Sequence, residues 1–191
     1  MNTLDISGTL GLIATIILTI NILLGMLLSS VYKKSVHWKR VPTYLQRYNL
    51  TDVHNYTAYL ALVLVCLHVV LIPIDVASSF NWLQILWPLY AKHQPYMAIL
   101  GSLSLYAFLI VLLTTQKVVK NKMSFRIWKN IHLMAYGAAL LFIIHGIWMD
   151  PELKDRPTDF FDAEKLLSEI CGIILIAASV LRFRYFMQKQ R

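Results

Sequence analysis

Negative charge is scarce in this chain: 10 Asp and Glu stand against 18 Lys and Arg in 191 residues, and charged residues of both signs make up only 15%. Cysteine is nearly missing. The two present, Cys66 and Cys171, both sit inside apolar runs, which excludes a disulfide framework. No GxGxxG occurs, so the fingerprint of a dinucleotide-binding fold is missing. There is no Gly/Ser linker, internal repeat or low-complexity tract, and residues 1–191 are expected to form one domain. The opening MNTLDISGTL lacks a basic segment, and the apolar run after it is too long for a signal-peptide core, so it is expected to be retained.

What the chain has in abundance is hydrocarbon. It is 58% hydrophobic with a mean hydropathy of +0.58, above a soluble domain's usual half. Apolar runs of about 20 residues recur, the length that crosses a bilayer as a helix. The expected architecture is all-α: a polytopic membrane bundle of about five transmembrane helices, embedded in lipid. The spans are expected at Ile6–Ser30, Thr51–Ile74, Tyr96–Thr115, Phe125–Trp148 and Asp162–Phe183. The stretch NWLQILWPLY, residues 81–90, is too short to span; Trp82, Trp87 and Tyr90 suit a short interfacial helix.

Basic residues orient the bundle. Lys33, Lys34, Lys39, Arg40 and Arg47 fall in one loop; Lys117, Lys120, Lys122, Arg126 and Lys129 in the next on that side; Arg182, Arg184, Lys189 and Arg191 in the tail. That places 14 of 18 on one side, which the positive-inside rule makes cytoplasmic. The N-terminus is then outside and the C-terminus inside. The opposite side has Lys92, Lys154, Arg156 and Lys165, with Asp150, Glu152, Asp155, Asp159, Asp162 and Glu164 in one loop. This topology explains the net charge of +8 better than nucleic-acid binding does, and no nucleic-acid partner is expected. The location is an integral, multi-pass place in a cell membrane, taken as the bacterial inner membrane.

Four histidines stand where hydrocarbon satisfies none of their polar atoms: His54 and His68 in VHNYTAYLALVLVCLH, His132 and His145 in IHLMAYGAALLFIIHGIW. Left unpaired, each would cost a few kcal/mol. The pairs lie 14 and 13 residues apart, about 21 and 20 Å along a helix, which fits inside a ~30 Å hydrocarbon layer. The second and fourth spans run in the same direction, so His54 falls level with His132 near the cytoplasm, and His68 with His145 towards the outside. Facing helices in a bundle build cofactor sites in this way.

Each level offers two imidazoles and no carboxylate. Zinc takes four protein ligands, and a metal transporter with intramembrane histidines is the weakest reading. Haem iron, with four porphyrin nitrogens already, needs two axial ligands. Two bis-histidine b-type haems fit this inventory, and the absence of CxxCH argues against covalent attachment. Guanidinium and ammonium groups at Arg40, Arg47, Arg126 and Lys129 are candidate partners for propionates of the cytoplasmic-side haem. In a straight helix 14 residues keep His54 and His68 on one face, whereas 13 leave His132 and His145 about 140° apart. A tightened 3₁₀ turn, or haems approached from different sides, would reconcile the second pair.

The HX13H of the second span, the HX12H of the fourth and the segment WKNIHLMAYGAALLFIIHGIW resemble the ferric reductase-like transmembrane domain shared by ferric reductases, NADPH oxidases and related bacterial haem proteins. The resemblance covers residues 50–150 and the outer spans more loosely. It implies electron transfer across the membrane, with His54 and His132 holding an inner haem, and His68 and His145 an outer one. It also implies a cytoplasmic-side donor, either a separate flavin or NAD(P)H reductase or a membrane quinol. The acceptor it implies is ferric iron, dioxygen or an extracytoplasmic redox protein such as a methionine sulfoxide reductase. Many members have six spans, and oxidases carry a C-terminal flavin and NADPH domain; neither the sixth span nor that domain is expected here. The alternative is a haem-bearing anchor, a quinol-interacting cytochrome b subunit of a larger oxidoreductase.

Overall fold

The structure is a computed structural model and describes residues 2–29, 36–75, 78, 80–150, 159 and 161–189. Five long helices account for most of them: α1, Thr3–Leu28; α2, Leu50–Leu71; α3, Pro95–Thr115; α4, Phe125–Trp148; and α5, Ala163–Lys189. All five contain a stretch long and apolar enough to cross a membrane. No strand occurs among the described residues. The chain is an all-α, multi-pass membrane bundle, as its hydropathy predicts.

The ends differ slightly from the expected spans, for local reasons. α1 begins at Thr3, ahead of Ile6, because Asn2 and Asp5 form a capping box, each side chain accepting the other's backbone N–H at 2.8 and 2.9 Å. α2 gives way at Leu71 to a 3₁₀ turn, Ile72–Ile74, because Pro73 cannot continue the helical ladder. α5 runs past Phe183 to Lys189. Residues 81–90 form two short turns, Trp82–Leu86 and Pro88–Tyr90, with Trp82, Trp87 and Tyr90 exposed as interfacial anchors are. Lys33, Lys34, Glu152, Lys154, Asp155, Arg156 and Arg191 lie outside the described residues, so the charge asymmetry that orients the bundle rests on sequence.

α1 packs along α2, and α3 along α4; α1 also meets α4 and α5, and α5 meets α4. The two histidine helices, α2 and α4, are not a closely packed pair. The helix without histidines is the hub. α1 has 39% of its most apolar stretch buried, against 17–22% for the other four. Ala14 on α1, Ala58 and Ala61 on α2 and Ala139 on α4 are buried in the core beside Leu18, Ile22, Phe108 and Phe142. Small residues at such contacts let backbones approach closely, the main source of cohesion between helices in lipid. Large apolar residues such as Val63, Leu67, Ile173 and Ile176 point outward, which in a membrane is the lipid-facing side.

Candidate functional site

The structure brings the four histidines together at two levels. His54 and His132 face each other between α2 and α4, with ring centroids 6.2 Å apart and planes crossed at 68°. His68 and His145 line one cavity, shared by α1, α2, α3, α4 and α5, of about 190 Å³. One water needs about 15 Å³ by that measure, so the space suits a larger group. Phe142, Val65 and Leu105 give it apolar walls.

Three of the four rings are held alike. The Nδ1 of His68 donates to the Ser7 carbonyl at 2.7 Å, that of His54 to the Asn21 carbonyl at 3.0 Å, and that of His145 to the Met97 carbonyl at 2.8 Å. A carbonyl only accepts, so Nδ1 carries the proton and Nε2 is the bare nitrogen. Four residues beyond each carbonyl stands a glycine against the same ring. A Cβ on Gly11 would lie 3.1 Å from His68, one on Gly25 3.2 Å from His54, and one on Gly101 2.9 Å from His145. On α1 the side chains complete the clamp: Ser7 Oγ donates to the His68 carbonyl at 2.9 Å, and Asn21 Nδ2 to the His54 carbonyl at 2.5 Å. Asn21 also donates to the Thr57 hydroxyl at 2.8 Å.

Ser7 and Asn21 are 14 residues apart, as are Gly11 and Gly25, and as are His54 and His68. α1 and α2 run antiparallel, so one clamp repeats along the helix in register with the histidines it holds. Those equal spacings were present in the sequence and are the signal by which α1 could have been found. Sequence reasoning that looked only at histidines passed over it.

His132 is the exception. Its Nδ1 is buried without a partner, and its ring stacks on Trp128 at 5.1 Å, with Lys120 lying 4.1 Å above the Trp128 ring. The α3–α4 register explains the missing clamp. Stepping 13 residues back from His145, and 13 forward from Met97 and Gly101, brings α3 to Ile110 and Thr114 at the height of His132, but about 140° round the helix from the face that serves His145. Thr114 stands in the glycine's place, and its hydroxyl already donates to the Ile110 carbonyl at 2.8 Å. No 3₁₀ turn absorbs the 13-residue spacing; α4 is α-helical from Phe125 to Trp148. The mismatch is taken up by the side chains: His145 reaches to α3 while His132 lies on Trp128.

Arg40, Arg47, Arg126 and Lys129, expected beside the His54 level, are all exposed. The cation against its histidine stack is Lys120, and Arg182 caps the end of α1 through the Met26 carbonyl at 2.5 Å. At the other level, Gln94 enters α3 with φ of 45°, uncommon for a non-glycine residue. Its Oε1 accepts the Asp150 N–H at 2.8 Å, pinning the start of α3 to the end of α4 beside His145.

The separation of His54 and His132 fits a haem between them, and at the other level His68 and His145 share a cavity. Two imidazole nitrogens each about 2 Å from one iron, with about 1.1 Å from each nitrogen to its ring centroid, would leave the ring centroids about 6 Å apart. Nδ1–H bonds to carbonyls are the outer-shell contacts that fix metal-ligating histidines. Among the described residues, no three His, Cys, Asp or Glu side chains converge, so each level offers a pair, the number haem iron lacks.

Neither the curated proteins nor the solved structures give a match to this chain. The family model described as ferric reductase like transmembrane component matches residues 10–143, which include His54, His68 and His132 and end two residues before His145. The chain belongs to the ferric reductase-like transmembrane family.

Proposed function

We propose that this protein carries electrons across the membrane through two b-type haems, one held by His54 and His132, the other by His68 and His145. The observation that carries the reading is the repeated clamp, which leaves Nε2 bare on three rings set at two depths. Two histidines packed only as aromatic neighbours can also sit about 6 Å apart, but such packing needs neither a bare nitrogen nor a ligand-sized cavity. Bound haem iron would supply a one-electron carrier at each level. The chain's residues do the rest: Ser7, Asn21 and Met97 hold three imidazoles to one tautomer and orientation, and the apolar walls keep water away. Oriented by its basic loops, the protein takes electrons from a cytosolic flavin or NAD(P)H reductase or a quinol at the His54 level. It delivers them from the His68 level to an extracytoplasmic acceptor, whether ferric iron, dioxygen or a redox protein.

The test is haem stoichiometry with optical redox titration in wild type and four single variants. Two acid-extractable haems per chain are expected. His68→Ala and His145→Ala should lose one of them, and His54→Ala and His132→Ala the other. No haem, or pairing of His54 with His145, defeats the reading. In proteoliposomes both haems should be reduced from the cytoplasmic face and reoxidised by an impermeant acceptor outside. Reduction of one haem with no electron reaching the outside would mark an anchor instead.

A further inference from the structure

A buried cation in the His68 cavity has no counterpart in the scheme so far. Lys165, in the first turn of α5, is 7% exposed and lines the cavity that holds His68 and His145. Among the described residues it has no hydrogen-bond or ion-pair partner. Asp150 and Asp162 line the same cavity, and each is engaged in an interaction of its own. Ser7, Ser102 and Gln84 also reach the wall, with Ser7 Oγ committed to the His68 carbonyl, Ser102 Oγ to the Ile85 carbonyl and Gln84 Nε2 to the Tyr90 carbonyl. With most of the side chain packed away, its ammonium meets the cavity, where no counter-charge is bonded to it, and a cation so placed favours an anionic partner. It is also one of only four basic residues on the side that the charge pattern makes extracytoplasmic, in a loop otherwise rich in carboxylates.

We propose that Lys165 is a carboxylate subsite of this cavity, its ammonium pairing with a carboxylate brought in by the group that occupies the space. The proposal rests on the two-haem reading. The carboxylate has two sources, a propionate of the haem between His68 and His145 or a carboxylate of an incoming ferric chelate. Lysine suits either, because its four-carbon stem lies along apolar wall while the head meets one oxygen as a point charge.

The two sources predict different results for Lys165→Gln, Lys165→Met and Lys165→Arg in the haem-loaded protein. With a propionate, the midpoint potential of the haem that depends on His68 and His145 falls in the Gln and Met variants with no acceptor present. The ferric centre carries the extra positive charge that a nearby cation opposes. Arginine restores the potential, and the other haem does not move. With a ferric chelate, both midpoints stay put, while the ferric citrate concentration that half-saturates reoxidation rises about tenfold, as expected for one lost charge-assisted contact. Reoxidation by a cationic acceptor is then unaffected. Two haems with unchanged midpoints and unchanged ferric citrate dependence overturn the subsite and leave the two-haem reading standing. A wild-type protein without haem overturns both.

Discussion

The His68 level and the His54 level each present two histidines and differ in how these are held. At the first, both imidazoles are fixed by a carbonyl and a glycine, His68 from α1 and His145 from α3, and they open on a cavity. At the second, His54 is fixed from α1 in the same way, while His132 rests on Trp128 with its Nδ1 unpaired. The difference traces to one residue of spacing. A 14-residue interval returns to almost the same face of a helix, so α1 serves two histidines with two copies of one clamp. A 13-residue interval does not, so α3 serves one. Hydrogen bonding at Nδ1 orients an imidazole and raises its basicity. On the two-haem proposal, the His68 level therefore offers a stiffer and more strongly donating pair, and His132 is the weakest of the four candidate ligands.

The largest break in that comparison is expected from Gly101→Ala. Its Cβ would lie 2.9 Å from two atoms of the His145 ring, closer than real Cβ contacts come, and the ring cannot retreat without giving up the Met97 carbonyl. We expect loss of the haem that depends on His68 and His145, with the other retained, read as haem per chain in the purified protein. Gly11→Ala, with its contact at 3.1 Å, should weaken the same haem less. Gly137→Ala on α4 meets nothing within 4 Å, lies off the cavity wall and should leave both haems in place. Equal losses from Gly137→Ala and Gly11→Ala would mean that the bundle tolerates no added Cβ, and the clamp would lose its meaning.

Asn21→Ala should come next. It removes two donated hydrogen bonds, to the His54 carbonyl and to Thr57, and leaves buried acceptors with one partner fewer, a cost of about 1–3 kcal/mol. The Asn21 backbone carbonyl survives, so His54 keeps its Nδ1 bond in a less firmly registered helix. The expected result is a lower thermal midpoint and a broadened or shifted spectrum of the His54 haem alone. Asn21→Ser should recover part of it, since Ser7 performs the same role at the other level. A stability loss with both haem spectra unchanged would make Asn21 a helix-packing residue only.

Much of this was legible before any coordinates. The five spans, the short interfacial segment and the matched depths of the histidines follow from apolar run length and from a constant rise per residue, which lipid enforces because it satisfies no backbone. The pairing of His54 with His132 follows from span direction. The supporting shell does not, because Ser7, Asn21 and Gly101 are unremarkable in an apolar helix until the partner helix sets the register. Lys165 read as one of four exceptions to the charge rule, and only its burial beside His145 turned that exception into a candidate site. Arg40, Arg47, Arg126 and Lys129 were chosen for proximity in sequence to His54 and His132. Arg40 and Arg47 in turns, and Arg126 and Lys129 in the first turns of α4, are free to face outward, and these do.

The smallest expected effect would make the two levels more alike. Thr114→Gly removes the hydroxyl that occupies the Ile110 carbonyl and the Cβ that stands where Gly11, Gly25 and Gly101 leave space. If the His132 ring turns toward α3, that carbonyl can then accept from its Nδ1, which has no other partner. A glycine in a helix interior costs up to about 1 kcal/mol in water, so a slightly less stable protein that still binds both haems is expected. The gain is spectroscopic. A His132 that donates through Nδ1 becomes a stronger electron donor, favours ferric iron and lowers the midpoint of the His54/His132 haem, while the other haem keeps its value. Thr114→Ser separates the two contributions, because it keeps the hydroxyl on the Ile110 carbonyl and should leave the midpoint near wild type. If Thr114→Gly and Thr114→Ser shift that haem equally, or Thr114→Gly shifts neither, His132 is held by Trp128 alone, and the missing fourth clamp has no bearing on how the two levels differ.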